Sequence, residues 1–191
     1  MLRRFQFLSP VLLIAAVAAM APAVQGDSDW HLTMFGGQMT DNVWEEAILP
    51  SETKLIDSDL IGVGAARDLT TWRGFDFGIE GQVVGHFGVQ DHFEFNLPLY
   101  ARYETPTGWR VFKSFTFGIG LSYATKVPQT EINRDGDSTQ AMIYWMGEIE
   151  FHLPSDNYTL VFRLHHRSDG YGAFAENSGS NALVLGLRRG F

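Results

Sequence analysis

The chain contains no cysteine, so no disulfide can staple it in any compartment, and packing and backbone hydrogen bonding must hold the fold. Beyond Gly26 no apolar run approaches the roughly 20 residues that a spanning helix needs, which excludes a helical membrane protein. Basic residues are scarce, with 14 Lys and Arg against 22 Asp and Glu and a net charge of −8. Such a chain is a poor partner for nucleic acid, whose phosphates must be neutralised by Lys and Arg. Sustained 3.6-residue periodicity is also missing, so amphipathic helices do not build the scaffold.

The first residues have a logic of their own. Met1-Leu2-Arg3-Arg4 is a short cationic start, and an apolar run from Phe7 to Ala21 follows, broken only at Ser9 and Pro10. Ala21-Pro22-Ala23 then offers a small-x-small cleavage site, with Val24-Gln25-Gly26 as a second. This is the three-part layout of a secretory signal peptide. A membrane anchor is the competing reading, but the clean apolar core Val11–Ala21 is too short to span a bilayer. Residues 1–23 are therefore expected to be a signal peptide, with cleavage possible as late as 26, and 27–191 a single domain.

What the remainder has in abundance is a period of two. Phe93, Phe95, Leu97, Leu99, Ala101 and Tyr103 alternate with Glu94, Asn96, Pro98, Tyr100 and Arg102. Phe75, Phe77, Ile79, Gly81 and Val83 alternate with Asp76, Gly78, Glu80 and Gln82. Phe115, Phe117, Ile119, Leu121 and Tyr123 oppose Ser114, Thr116, Gly118, Gly120 and Ser122, and Ile143, Trp145, Gly147, Ile149 and Phe151 oppose Glu148 and Glu150. Successive strand side chains point to opposite faces, so each segment has one bulky apolar side and one small or polar side. A soluble barrel or sandwich would turn the apolar side inward. Three features favour the reverse: glycines and charges on the opposite face, aromatic residues at segment ends, and a terminal Phe191.

Eight segments are expected, at 29–39, 55–68, 74–87, 92–105, 113–124, 139–153, 158–168 and 180–191. In hydrocarbon no backbone polar group can be left open, so they must close into an eight-stranded antiparallel transmembrane β-barrel of an outer membrane. The connections alternate in length. Short turns fall at Leu69–Arg73, Pro106–Trp109 and Pro154–Asn157, and long loops at Thr40–Lys54, Thr125–Ser138 and Asp169–Gly179, with one short exception near Gln90. Short turns belong to the periplasmic end, where Trp72 and Trp109 would join an aromatic girdle. A barrel of eight strands is only wide enough for its own side chains, so Glu80, Glu94, Arg102, Glu148, Glu150 and Arg163 should pair inside it and leave no pore.

Function then belongs to the loops or the outer wall, and the seventh segment, Tyr158 to Ser168, is the informative one. Tyr158, Leu160, Phe162 and Leu164 set the outward register, and parity carries it on to His166 and Ser168, while Arg163, His165 and Arg167 point inward. Two residues along a strand lie roughly 6.6 Å apart on one face, within reach of a serine nucleophile and its general base. Asn181 shares the outward face of Leu183, Leu185 and Leu187 on the last segment, and antiparallel pairing brings it near both. A non-catalytic reading makes His166 and Ser168 ordinary headgroup-level residues where the apolar band ends.

His166-Arg167-Ser168, the following loop Asn177-Ser178-Gly179-Ser180-Asn181 and the closing strand to Phe191 resemble the PagL-type lipid A 3-O-deacylase family. The resemblance implies an outer-membrane esterase that removes an ester-linked 3-hydroxyacyl chain from lipid A of lipopolysaccharide. It implies Ser168 as nucleophile and His166 as base. The family's orienting glutamate is replaced by Asn181, so Asn181 or Glu176 in the loop would orient the imidazole. The family's asparagine after the serine is replaced by Asp169, an acceptor only, so backbone N–H groups near Gly170 would have to bind the oxyanion. No metal or organic cofactor is implied. His31, His86, His92 and His152 fall one to a segment without zinc spacing, and Asp135-Gly136-Asp137 reads as an exposed turn rather than a calcium loop. Expected partners are lipopolysaccharide and, through Phe191, the outer-membrane assembly machinery, with the barrel a monomer or homodimer. The alternatives are a non-catalytic structural or ligand-binding barrel, or an adhesion barrel, for which the loops are short.

Overall fold

The computed structural model describes residues 29–106, 109–154 and 157–191, and the expected signal peptide lies outside them. Eight strands appear: β1 (Trp30–Thr40), β2 (Leu55–Trp72), β3 (Phe75–Gly88), β4 (His92–Glu104), β5 (Phe112–Ala124), β6 (Ala141–His152), β7 (Thr159–Ser168) and β8 (Gly179–Gly190). Each pairs antiparallel with its sequence neighbour, and β1 pairs with β8, closing the barrel. The seam runs from His31 opposite Gly190 to Thr40 opposite Asn181. Two short helices sit in the long loops: α1 (Trp44–Ala47) between β1 and β2, and α2 (Gln129–Asp135) between β5 and β6.

The strands fall where the alternation puts them, with one extension. A turn is expected at Leu69–Arg73, but β2 continues to Trp72 after a bulge between Asp68 and Thr70. The chain instead reverses at Arg73 and Gly74, whose φ values of 51° and 82° form the left-handed pair that a two-residue hairpin prefers. Asp135-Gly136-Asp137 is the end of α2, where Gly136 at φ 81° makes the left-handed cap.

Pro98 stands in mid-strand and has no N–H to donate to the ladder. The β3–β4 pairing accordingly lapses between Ile79–Leu99 and Gln82–Asn96. Gly81 offers no side chain at this point, and a groove of about 400 Å³ opens in the wall between Val83, Phe95 and Leu97. It lies far around the barrel from β7 and carries none of the expected site residues.

The outer wall is apolar: Leu97, Leu99, Phe117 and Leu121 are all exposed. Exposed Trp30, Trp72, Trp109 and Phe191 gather at the end carrying the described termini. The lumen holds the charges. Fully buried Arg163 bridges Glu80 at 3.0 Å and Glu148 at 2.7 Å, and Arg188 reaches Glu148 at 2.5 Å and Glu150 at 3.2 Å. Arg102 pairs with Asp68 and Asp76 nearer the turn end. At the loop end α2 turns Glu131 down into the mouth, where its carboxylate accepts from Arg167, Ser180 and Ser138. Phe35, Tyr144 and Met146 fill the space between, so the interior is packed rather than open.

Glu80, Glu148 and Glu150 are tolerated in the lumen because guanidinium groups face them. Replacing Arg163 with Met should take from Glu80 its close cation and leave Glu148 with Arg188 alone, at a cost of about 3–5 kcal/mol. The expected readout is a lower midpoint for loss of the compact, heat-modifiable band on cold gels. An unchanged midpoint would mean that the lumenal pairs contribute nothing to holding the barrel together.

Candidate active site

At the loop end of the wall, three neighbouring strands bring three outward side chains into one row. Trp145 of β6 is paired with His166 of β7, and His166 with Asn181 of β8. Sequence parity expects His166 to face lipid, and its register is outward, yet only 8% of its surface is exposed. The Trp145 ring covers one side at 4.4 Å between centroids. Trp44, on the first turn of α1, meets Trp145 edge-on at 5.6 Å, and Phe117 lies on its other side at 6.0 Å. Loop 40–54 thus folds down over the outside of the barrel and forms an aromatic wall beside the imidazole.

On the other side His166 Nδ1 lies 2.6 Å from Asn181 Oδ1. The orientation of that amide is decided elsewhere. Asn181 Nδ2 donates to the main-chain oxygen of Asn42 at 2.7 Å. A carbonyl oxygen only accepts, so the NH2 group must face it, and Oδ1 is left toward the imidazole. Because Oδ1 is an acceptor, Nδ1 must carry the proton. Nε2 is then the basic nitrogen. Asn42 O is held in turn: Arg134 at the end of α2 donates to it at 3.1 Å and also to Gly179 O. The Asn42 side chain knits the loop, donating to Glu46 and Glu52 O and accepting from Lys54 N.

Ser168 ends β7 opposite Gly179 and Ile143. Its Oγ makes two long contacts, donating to Asp169 Oδ1 at 3.4 Å and accepting from Gly170 N at 3.3 Å. Asp169 also accepts from Tyr171 N at 3.1 Å, so its carboxylate organises the turn after the serine. Gly170 sits at φ 66°, and a side chain there would run into Ile143 at 2.9 Å, so glycine is required twice over. The consequence is a main-chain N–H aimed at the serine oxygen. Glu176, the other residue expected to orient the imidazole, is exposed, and its amide bonds to Asp137. No hydrogen bond joins it to His166 among the described residues.

Sequence reasoning brings Ser168, His166, Asn181 and Gly170 to one corner; the structure joins His166 to Asn181 and Gly170 to Ser168, but among the described residues no hydrogen bond joins Ser168 to His166. It misses Trp145, Trp44, Asn42 and Arg134. Trp145 has a usable signal, because counting nine residues outward from each end of the Pro154–Asn157 turn sets it opposite His166. Asn42 and Arg134 have none, since the first acts through a main-chain atom and both reach the site through loop conformation. Among the described residues, no group of three metal-ligating side chains gathers on this face.

The closed fold, apolar outer wall and charged lumen define an outer-membrane β-barrel. The family model described as lipid A 3-O-deacylase (PagL) matches residues 60–189, and the chain belongs to that family. No curated protein sequence matches it significantly. The outer-membrane enzyme PagL is similar in structure, with a TM-score of 0.55 at 12% identity over 84% of this chain and 99% of that one. Neisserial surface protein A is similar too, with a TM-score of 0.52 at 13% identity over 87% of this chain and 100% of that one. At such identities the structural likenesses speak for the fold alone.

The amide relay makes Asn181 more than a shortened acid. An Asn181→Asp substitution would set a carboxylate oxygen against Asn42 O, and the lost hydrogen bond between buried groups should cost about 1–3 kcal/mol. The expected result is a lower unfolding midpoint than wild type, with looser proteolytic protection of loop 40–54. Equal stability and protection would show that the Asn181–Asn42 link does not hold the loop.

Proposed function

We propose that this protein is a carboxylic-ester hydrolase that removes an ester-linked 3-hydroxyacyl chain from lipid A in the outer leaflet, with Ser168 as nucleophile and His166 as general base. The observation that carries the reading is the Asn42 O–Asn181–His166 relay, which protonates Nδ1 and leaves Nε2 basic, two residues along the same strand from Ser168. A histidine that only ended an apolar band would have no need of a fixed tautomer.

In the proposed reaction Ser168 Oγ turns from Asp169 toward His166 Nε2, and attacks the acyl carbonyl as its proton passes to Nε2. Contacts of this kind are long without substrate and tighten in the complex. Oxygen of the tetrahedral intermediate takes the Gly170 N–H, which is free once Oγ has become the ester oxygen. His166 then gives the proton to the departing sugar oxygen, and the acyl group remains on Ser168. Water, deprotonated by the same Nε2, cleaves that acyl-enzyme and regenerates the hydroxyl. The aromatic wall of Trp145 and Trp44 shields the imidazole from bulk water and offers an apolar flank for the acyl chain.

Asn181 takes the position of the carboxylate that orients the base in a Ser-His-acid arrangement. An asparagine there can present the wrong tautomer and suppress catalysis. The Asn42 carbonyl removes that failure by holding the amide with its oxygen to the ring. What asparagine cannot supply is charge for the imidazolium, so turnover should be slower than with a carboxylate in the same place.

Lipid A from cells expressing the wild-type chain should lose one hydroxyacyl mass, whereas Ser168→Ala and His166→Ala should leave it fully acylated. Asn181→Ala should reduce the rate by roughly 10²-fold, within the range that a positioned base contributes. Fully acylated lipid A with wild type, given a folded barrel in the outer membrane, would remove the esterase reading and leave a non-catalytic barrel.

A further inference from the structure

Inside the lumen, under α2, lies a second cluster that the proposed hydrolysis does not use. His86 of β3 and His92 of β4 are direct cross-strand partners, and Glu94 follows two residues along on the same inward face. The sequence reading sees one histidine to a strand and no ligand spacing, because spacing along the chain says nothing of register across a hairpin. Register stacks the two imidazoles at 4.5 Å and 14°, and one ligand atom from each of the three residues lies within 4.8 Å of the others. All three side chains are at least nine-tenths buried.

Two residues are already partnered. Glu94 accepts from His86 Nε2 and from His165 Nε2, each at 2.9 Å, and His86 Nδ1 accepts from Gln90 at 2.9 Å. His92 differs: its Nε2 is buried with no hydrogen-bond partner. An unmatched ring nitrogen at such a depth costs free energy, on the order of 1–3 kcal/mol for a buried polar group. The packing offers no compensating contact, whereas a cation would supply one.

We propose that His86, His92 and Glu94 bind a divalent transition-metal ion of the zinc type, with water as the fourth ligand. Two imidazoles and a carboxylate form a three-ligand set that zinc commonly takes, and this set is poor for calcium or magnesium, which prefer oxygen alone. Binding needs no net loss of protons from the imidazoles. His86 now carries its proton on Nε2, facing Glu94, and that proton moves to Nδ1 when the metal takes Nε2. Gln90 must then present its oxygen to Nδ1, the usual outer-shell acceptor for a metal-bound histidine. Its amide turns over, and the Thr130 hydroxyl of α2, which now donates to Gln90 Oε1, becomes the acceptor, while the Thr130 N–H gives up its longer 3.4 Å bond to that oxygen. His92 binds through the nitrogen that has no partner. The ion would clamp the β3–β4 hairpin to β7, because Glu94 still holds His165, the residue beside His166. Its role is to stiffen the loop end of the barrel, separate from ester hydrolysis.

The test uses untagged protein folded in detergent micelles, stripped with chelator and titrated with Zn²⁺ or with Co²⁺ as a coloured substitute. One equivalent should bind, the Co²⁺ spectrum should report nitrogen and oxygen ligands, and the thermal midpoint should rise with metal. His92→Leu should weaken binding by more than roughly 100-fold, and Gln90→Ala by roughly 10–100-fold, the loss usual for an outer-shell partner. His92→Leu should still fold, because the Nε2 it removes makes no hydrogen bond, and without metal its midpoint should equal or exceed that of wild type. Absence of stoichiometric uptake would overturn the proposal. So would equal affinity in His92→Leu, which would place the metal on other histidines. Deacylation by the Ser168 site is read separately, so either proposal can fail without the other.

Discussion

Hydrocarbon offers a peptide group no hydrogen-bond partner, and the pairing of β1 with β8 is what lets this chain live in it. Without that seam one edge of the sheet would show a row of open N–H and C=O groups to lipid, at several kcal/mol for each group left unmatched. With the seam formed, every strand has a partner on both sides, and the ladder is interrupted only locally, at Pro98 and at the bulges near Gln38, Asp68 and Phe112. Closure also splits the side chains into two populations, one facing lipid and one facing a lumen too narrow for solvent. The two need opposite chemistry, and a period of two provides it.

β7 shows both populations on one strand. Inward, Arg163 bridges the lumenal carboxylates, His165 bonds to Glu94 and Arg167 to Glu131 under α2. Outward, the apolar run to Leu164 gives way to His166 and Ser168. A one-residue slip of register would bury the serine and push three charged or polar groups into lipid, so the lumenal ion pairs that fix the register also fix which face carries the hydroxyl. Stability and the candidate chemistry therefore rest on the same alternation.

Much of this was legible in the chain. The alternation at 93–103, together with the glycines and charges opposite it, places the apolar face outward, and alternating connection lengths distinguish the two ends. At the site, the outward register of His166 and Ser168 follows from parity and that of Asn181 from counting back along the last strand, while the roles proposed for them come from the family resemblance. Less legible were contacts that depend on loop shape or on main-chain atoms. Nothing in the composition of residues 40–54 says that they turn outward over the wall, carrying Trp44 to Trp145 and the Asn42 carbonyl to Asn181. The choice between Asn181 and Glu176 is likewise open in the chain, because it turns on loop contacts that leave Glu176 exposed with its N–H on Asp137. His86 and His92 looked isolated because their proximity is a matter of hairpin register.

The Asn42–Asn181 contact spans the seam itself: Thr40 pairs with Asn181, and Asn42 is two residues further on. In an unclosed sheet β7 and β8 can still form their hairpin, with His166 beside Asn181, but no carbonyl then tells the amide which way to face. The imidazole's tautomer is thus a property of the finished cylinder and not of any strand within it. A chain still on its way to the membrane carries the imidazole with its tautomer unset, and that choice arrives with the last hydrogen bonds of assembly.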